Sequence, residues 1–345
     1  MLRAFCYRRT DEPERDLLLR AAAWPELDRL DDLDAATLRA VSRREGIDFA
    51  TALLYDRLRR SAKLAPTISD AGPLADAGSL DGGSGEDRTP VDIDVVVVPG
   101  AFHAQRAETG ADGRRVIEAA RRLGGSATVV DVPSFGSPAS NAKAILRTLA
   151  ARRSDRRLVL VSLSKGSLDV RCALESVGTD DIWRKVDCWI SLSGIATGSP
   201  LVGWLRRRPW RLVGVRLFFA WHALPYRVLR EIDRDTIGER RQGLSESSAR
   251  QLQTVHVVGF PLRRHLSCPL ARRGHRRLAP LGPNDGGVLL ADVCQLSGMV
   301  YPVWGADHYL KLPDADVGTI FAAVLANKMA ADSKALVTSA WRETV

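Results

Sequence analysis

Residues 158–167 read Leu158-Val-Leu-Val-Ser162-Leu-Ser164-Lys165-Gly166-Ser. The apolar run predicts a strand buried on both faces, as in a parallel sheet. Gly166 ends the run, and a helix is predicted over Gly166–Ser176. A serine on so tight a strand-to-helix turn projects its hydroxyl out of the sheet. Ser162 and Gly166, two residues to either side, are small enough to keep the turn free of clashes. The N–H of Lys165, at the helix start, can donate to a developing anion. Ser164 is therefore a candidate nucleophile. An ordinary strand–turn–helix with incidental serines would read the same way, so the neighbouring sequence has to decide.

Outward from this stretch, short β-branched runs alternate with helical ones. The runs are Ile93–Val98, Ala127–Val132, Leu158–Leu163, Cys188–Leu192, Val255–Phe260 and Met299–Trp304. Helices are predicted at Arg114–Leu123, Ser140–Arg152 and Val317–Ala331 as well. This order is that of an α/β fold, a mostly parallel sheet with helices on both faces. Pro302 suits an edge strand, where a missing N–H costs little. About 60 residues separate the fourth and fifth strands, far more than a crossover helix needs. They predict an inserted helical cap at about 195–253.

The first 66 residues read as a helical extension. Asp34 caps one helix that ends at Gly46, and Asp48 caps a second running to about Ser61. Residues 67–90, rich in Asp, Gly, Ser, Ala and Pro, have the composition of a flexible linker. The remainder, 91–345, is long enough for one α/β domain with its cap.

The chain of 345 residues carries a net charge of +9, with 50 Lys+Arg against 41 Asp+Glu. Residues 201–280 alone carry +12, and the rest of the chain sums to −3. Five cysteines without CxxC spacing exclude a disulfide scaffold and argue against a metal site. Neither a G-x-G-x-x-G nor a G-x-x-x-x-G-K-[ST] stretch occurs, so no nucleotide cofactor is expected. No apolar leader or membrane-length apolar run is present, which predicts a cytoplasmic protein.

Three further stretches bear on Ser164. Val95-Val-Val-Val-Pro99-Gly100-Ala101-Phe102-His103 is a strand followed by a loop, and such a loop can aim a second N–H at an oxyanion. Ala101 is the first candidate donor and Phe102 the next. Pro283-Asn-Asp285-Gly-Gly places an acid in a turn, with Asp292 as runner-up. Trp304-Gly-Ala-Asp-His308-Tyr places a histidine after the last strand. Asp307 adjoins His308, but adjacent side chains point apart, so Asp285 is the better orienter. His256 reads as a packed strand residue and His103 as a neighbour of the pocket. His222, His265 and His275 read as surface or cap residues.

Loop, serine, acid and histidine come in that order, each placed after a strand. In this the chain from 91 to 345 resembles the α/β-hydrolases of lipase and esterase type. The resemblance implies Ser164 as nucleophile, His308 as general base and Asp285 as its orienter. It also implies an oxyanion hole from the N–H groups of Lys165 and Ala101 or Phe102, and no cofactor. Two departures stand out: Ser162 replaces the usual glycine before the nucleophile, and Pro261–Gly282 is inserted ahead of the acid. No antiparallel strands are evident before Ile93.

The expected activity is hydrolysis of a carboxylic ester or thioester through an acyl-enzyme. An apolar acyl part is suggested by the aromatic cap residues Trp204, Trp210, Phe218, Phe219, Trp221 and Tyr226. Seven arginines lie among them, which suits contact with an anionic membrane surface or simple decoration of a solvated face. The same site could serve an acyltransferase, or the fold could be a non-catalytic scaffold that binds lipid or a protein partner. No nucleic-acid module is recognisable.

Overall fold

The computed structural model describes residues 12–64, 92–152, 155–221, 224–241 and 252–343. The 67–90 linker, Cys6 and His222 lie outside the described residues. Six strands form one sheet: β1 Ile93–Val98, β2 Ser126–Val129, β3 Arg157–Leu163, β4 Val186–Leu192, β5 Gln253–Phe260 and β6 Met299–Trp304. Their order is β2-β1-β3-β4-β5-β6, and every pair is parallel. β2 starts one residue earlier and ends three earlier than its apolar run predicts, and it is half-exposed at one edge. Pro302 lies in the opposite edge strand, as its missing N–H requires.

Among the described residues, the helices of seven residues or more are α1 Glu14–Ala22, α2 Ala35–Glu45, α3 Ile47–Arg59, α4 Arg114–Arg122, α5 Pro138–Ala150, α6 Gly166–Leu174, α7 Pro200–Arg206, α8 Pro209–Trp221, α9 Arg234–Arg241, α10 Pro269–Leu278 and α11 Val317–Glu343. The last is longer than its apolar periodicity predicts.

Strand periodicity sorts the core into layers. Val95, Val97, Val159, Val161, Ile190 and Val257 face α4 and α11, meeting Val116, Ala120, Phe321 and Val324. The alternate residues Val96, Val98 and Leu160 face α5 and α6, meeting Ile145, Leu149, Val170 and Ala173. On the β5–β6 end of the sheet, Val258, Phe260 and Val300 meet Phe49, Leu53, Leu54 and Leu58 of α3. The N-terminal helices therefore share the sheet's core. Residues 63 and 64 run beside the β6 edge, where the N–H of Val300 donates to the Lys63 carbonyl at 2.7 Å.

Asp34 caps α2 as predicted, accepting from the Thr37 N–H at 2.7 Å. Asp48 does not cap α3, because the chain enters that helix at Gly46 with φ +96°. Its carboxylate instead accepts from the Arg263 N–H at 3.0 Å, tying the N-terminal helices to the loop after β5.

The cap between β4 and β5 contains α7, α8, Val228–Glu231 and α9. Arg206 pairs with Asp233 at 2.6 Å within the cap, and Arg234 anchors the cap to Asp292 at 2.6 Å. No helix among the described residues is long and apolar enough to cross a membrane.

Candidate active site

Ser164 follows β3 with φ +45°, a left-handed conformation that a side chain with a Cβ rarely takes. The turn is held on both sides. The Ser164 N–H donates to the Leu192 carbonyl at 3.0 Å, and its own carbonyl accepts from the Ile195 N–H at 3.0 Å. Gly166 is obligatory here: a Cβ would lie 2.6 Å from the Val98 carbonyl oxygen and 2.8 Å from that of Pro99.

Ser162 fits where a glycine was expected because its hydroxyl has partners. Trp189 Nε1–H donates to it at 2.7 Å, and it pairs with the Ser167 hydroxyl at 2.8 Å. Ser167 in turn meets the Ser191 hydroxyl at 2.9 Å. All three serines are fully buried, so this satisfied network fixes the floor of the turn.

His308 stands on the loop after β6. That loop crosses β5 at Gly259, where a Cβ would lie 2.3 Å from the Ala306 carbonyl oxygen. His308 Nε2 is 3.1 Å from Ser164 Oγ, and Nδ1 is 2.9 Å from Asp285 Oδ2. With a proton on Nδ1 donating to the carboxylate, Nε2 is free to accept from the serine hydroxyl. Burial of the ring works against its charged form, but the charge of Asp285 and the hydrogen bond to it prevail and raise the His308 pKa above 6.5.

Asp285 is fully buried. Its other oxygen accepts the N–H groups of Gly287 and Val288, both at 2.8 Å. The structure therefore joins Ser164, His308 and Asp285 in one hydrogen-bonded line. Asp292, the runner-up, pairs with Arg234 in the cap instead. Asp307 accepts from the N–H and hydroxyl of Ser267 at 2.8 and 2.7 Å.

Gly100, Ala101 and Phe102 sit against the serine. A Cβ on Gly100 would be 3.4 Å from that of Ser164. Ala101, Phe102, Ser164, Lys165 and His308 all line a cavity of about 370 Å³. Phe102 has φ +61°, so its backbone too is in the left-handed region. His103 is not among the residues lining that cavity. Its Nδ1 lies 2.8 Å from the Gly100 carbonyl oxygen and 3.1 Å from the Ser134 hydroxyl, so it braces the loop.

The Lys165 side chain turns away into the core. Its ammonium lies 2.8 and 2.9 Å from the two oxygens of Asp169, which also accepts from Asn141 Nδ2 at 2.8 Å. Burial is the main reason that the Asp169 pKa rises to about 6.

His275 is a correction to the sequence reading, being wholly buried on the inner face of α10 rather than at the surface. Burial lowers its pKa to about 4, and that of His256 in β5 likewise to about 4. His265 is half-buried and lies 3.0 Å from Glu14 of the first helix. Among the described residues no group of three His, Cys, Asp or Glu side chains is arranged to hold a metal ion.

Sequence reasoning did not identify α10 as a wall of the cavity. Leu270, Gly274 and Arg277 all line it, at helical spacing i, i+4, i+7. That spacing was the available signal, hidden in a stretch conspicuous only for its charge. In the sequence Gly287 reads only as a turn residue, yet a Cβ there would be 2.4 Å from His308 Nδ1.

Many solved structures resemble this one, two of them hydrolases as follows. A metagenomic carboxyl esterase matches with a TM-score of 0.54 and 22% identity, over 71% of this chain and 77% of its own. A Bacillus licheniformis lipase in its mature form matches with a TM-score of 0.51 and 19% identity, over 66% and 89% respectively. No protein-family model and no curated protein matches the chain.

Proposed function

We propose that this chain, which has the α/β-hydrolase fold, is a serine hydrolase that cleaves a carboxylic ester or thioester through an acyl-enzyme. The observation that carries the reading is the line from Asp285 through His308 to Ser164, ending on a serine with φ +45°. His308 takes the hydroxyl proton as Ser164 Oγ attacks the acyl carbon, and Asp285 stabilises the imidazolium that forms. The N–H groups of Lys165 and of Ala101 or Phe102 then meet the oxyanion. His308 returns its proton to the departing alcohol or thiol. Water, activated by the same histidine, releases the acid and restores Ser164.

An apolar acyl part is supported by Leu163, Leu192, Ile195, Leu201, Leu270 and Val317 on the cavity wall. A chain-length series of neutral p-nitrophenyl esters and matching thioesters tests the proposal. Activity that rises with acyl length and vanishes in Ser164→Ala supports it. Failure to turn over any member would leave the fold as a binding scaffold.

Contact with an anionic membrane surface is a second element of this reading. On α8, Trp210 and Trp221 are 88% and 87% exposed. Arg211 and Arg216 lie between them, the mixture suited to a headgroup boundary. Co-sedimentation with anionic vesicles that weakens with salt is expected, and Trp210→Ser with Trp221→Ser should reduce it. Equal sedimentation of both proteins would remove this element.

A further inference from the structure

Two arginines that ester cleavage as described does not use line the cavity beside Ser164: Arg106, which lies 3.6 Å from Glu108, and Arg277. α10 presents Leu270, Gly274 and Arg277 to the cavity along one face. Gly274 lets the helix lie directly on the turn that holds Asp285, since a Cβ there would be 2.0 Å from the Gly286 carbonyl oxygen. One rigid contact thus sets the positions of both Asp285 and Arg277.

Arg277 does not stand alone. Its guanidinium carbon is 4.5 Å from the centroid of the Trp204 ring, while those of Arg208 and Arg211 are 4.0 and 5.2 Å from the same ring. Three cations gathered at one indole each gain roughly 0.5–1 kcal/mol from the ring and repel one another. Partial burial comes first in lowering the pKa of Arg277, and the charges that bear on it are Arg211, Arg273, Arg276 and Arg208, every one cationic. Among the described residues neither Arg277 nor Arg211 is paired with a carboxylate. An anion entering the site would offset the repulsion among these charges.

We propose that Arg277, with Arg211 beside it on Trp204, forms a subsite for a phosphate or similar anionic group carried by the substrate away from its scissile ester. The inference rests on the ester-hydrolase reading and narrows its substrate class to anionic esters. A guanidinium suits this task because its planar fork matches phosphate and carboxylate oxygens.

Two measurements test it. The first compares kcat/KM for a glycerol monoester with that for the glycerol phosphate monoester of the same acyl chain. The phosphate-bearing ester should be favoured by about 10- to 100-fold, and Arg277→Gln and Arg211→Gln should each reduce that ratio. A ratio near one in the unaltered protein, or one that neither variant changes, overturns the subsite and leaves the arginines as packing on Trp204. The ester-hydrolase reading would survive that result, because it depends on Ser164.

The second is calorimetric titration of the Ser164→Ala protein with octyl phosphate, octanol and inorganic phosphate. Octyl phosphate should bind tightest, and adding Arg277→Gln should weaken it at least about 10-fold while octanol is unaffected. Inorganic phosphate binding as tightly as octyl phosphate would overturn the assignment to an acyl-bearing ligand. Selective binding of octyl phosphate by a protein that cleaves no ester would uphold the anion subsite and reject the hydrolase reading. Circular dichroism and thermal melting confirm that each variant is folded.

Discussion

Asp285 holds residue 308 at two points. Its backbone carbonyl accepts from the His308 N–H at 2.8 Å, and its carboxylate meets Nδ1 at 2.9 Å. The imidazole is thereby fixed in position and in tautomer, with Nε2 turned to Ser164. With His308 as the proposed general base, its raised pKa puts the expected acid limb of the pH–rate profile above 6.5. The base must be neutral to act, so kcat/KM should rise with pH through that limb. Asp285→Asn removes the charge that raises the pKa. It should shift the limb to lower pH and reduce kcat by about 10⁴. An unchanged limb in Asp285→Asn would show that another group titrates.

Gly287 supplies a test of position rather than charge. A Cβ there meets the His308 ring at 2.4 to 2.7 Å, so Gly287→Ala must displace the imidazole. A displacement near 1 Å costs about 10² in rate. Steady-state kinetics should show that loss in kcat, whereas Gly214→Ala, with nothing within 4 Å of the added methyl and no positive φ, should leave kcat unchanged.

The Lys165–Asp169 pair lies directly behind the serine turn, with both side chains almost fully buried. Lys165→Met leaves an unpaired buried carboxyl group and should cost about 3–5 kcal/mol in urea unfolding. Adding Asp169→Asn should recover much of the loss, because no uncompensated charge remains. If the double variant is as unstable as the single one, packing rather than charge accounts for the effect.

Acid should weaken the fold through its buried histidines. His256 and His275 have folded pKa values of about 4, against an ordinary 6.5. As the pH falls from 6.5 toward 4, the unfolded chain binds these protons first, so stability is full above 6.5 and lost below it. Each histidine accounts for up to about 3 kcal/mol. Asp169, raised to about 6, acts in the opposite sense between about 6 and 4 and offsets part of the loss. The urea midpoint should fall over that window, and less steeply in His275→Leu. A flat midpoint would contradict the buried neutral state.

The sheet was legible because its strands are buried on both faces and therefore read as unbroken apolar runs. β2 is the exception. It lies at an edge, half-exposed, and its apolar run carries on past the last paired residue. The order of Ser164, Asp285 and His308 was legible because each follows a recognisable element. Long-range packing was not. In α10 the spacing of Leu270, Gly274 and Arg277 puts them on one face, but nothing local says that the cavity lies against that face or that His275 is buried. Asp48 looked like a cap because its partner, the N–H of Arg263, lies 215 residues away in sequence. The same holds for α3, whose seat on β5 and β6 depends on contacts that sequence spacing does not encode.

The proposed mechanism stands or falls on Ser164 as the nucleophile. Reaction with a fluorophosphonate probe, followed by peptide mass spectrometry, tests it most directly. One adduct is expected on Ser164, none on the Ser164→Ala protein, and greatly slowed labelling in His308→Ala. Labelling that persists in Ser164→Ala, or an adduct found on a different serine, would contradict it.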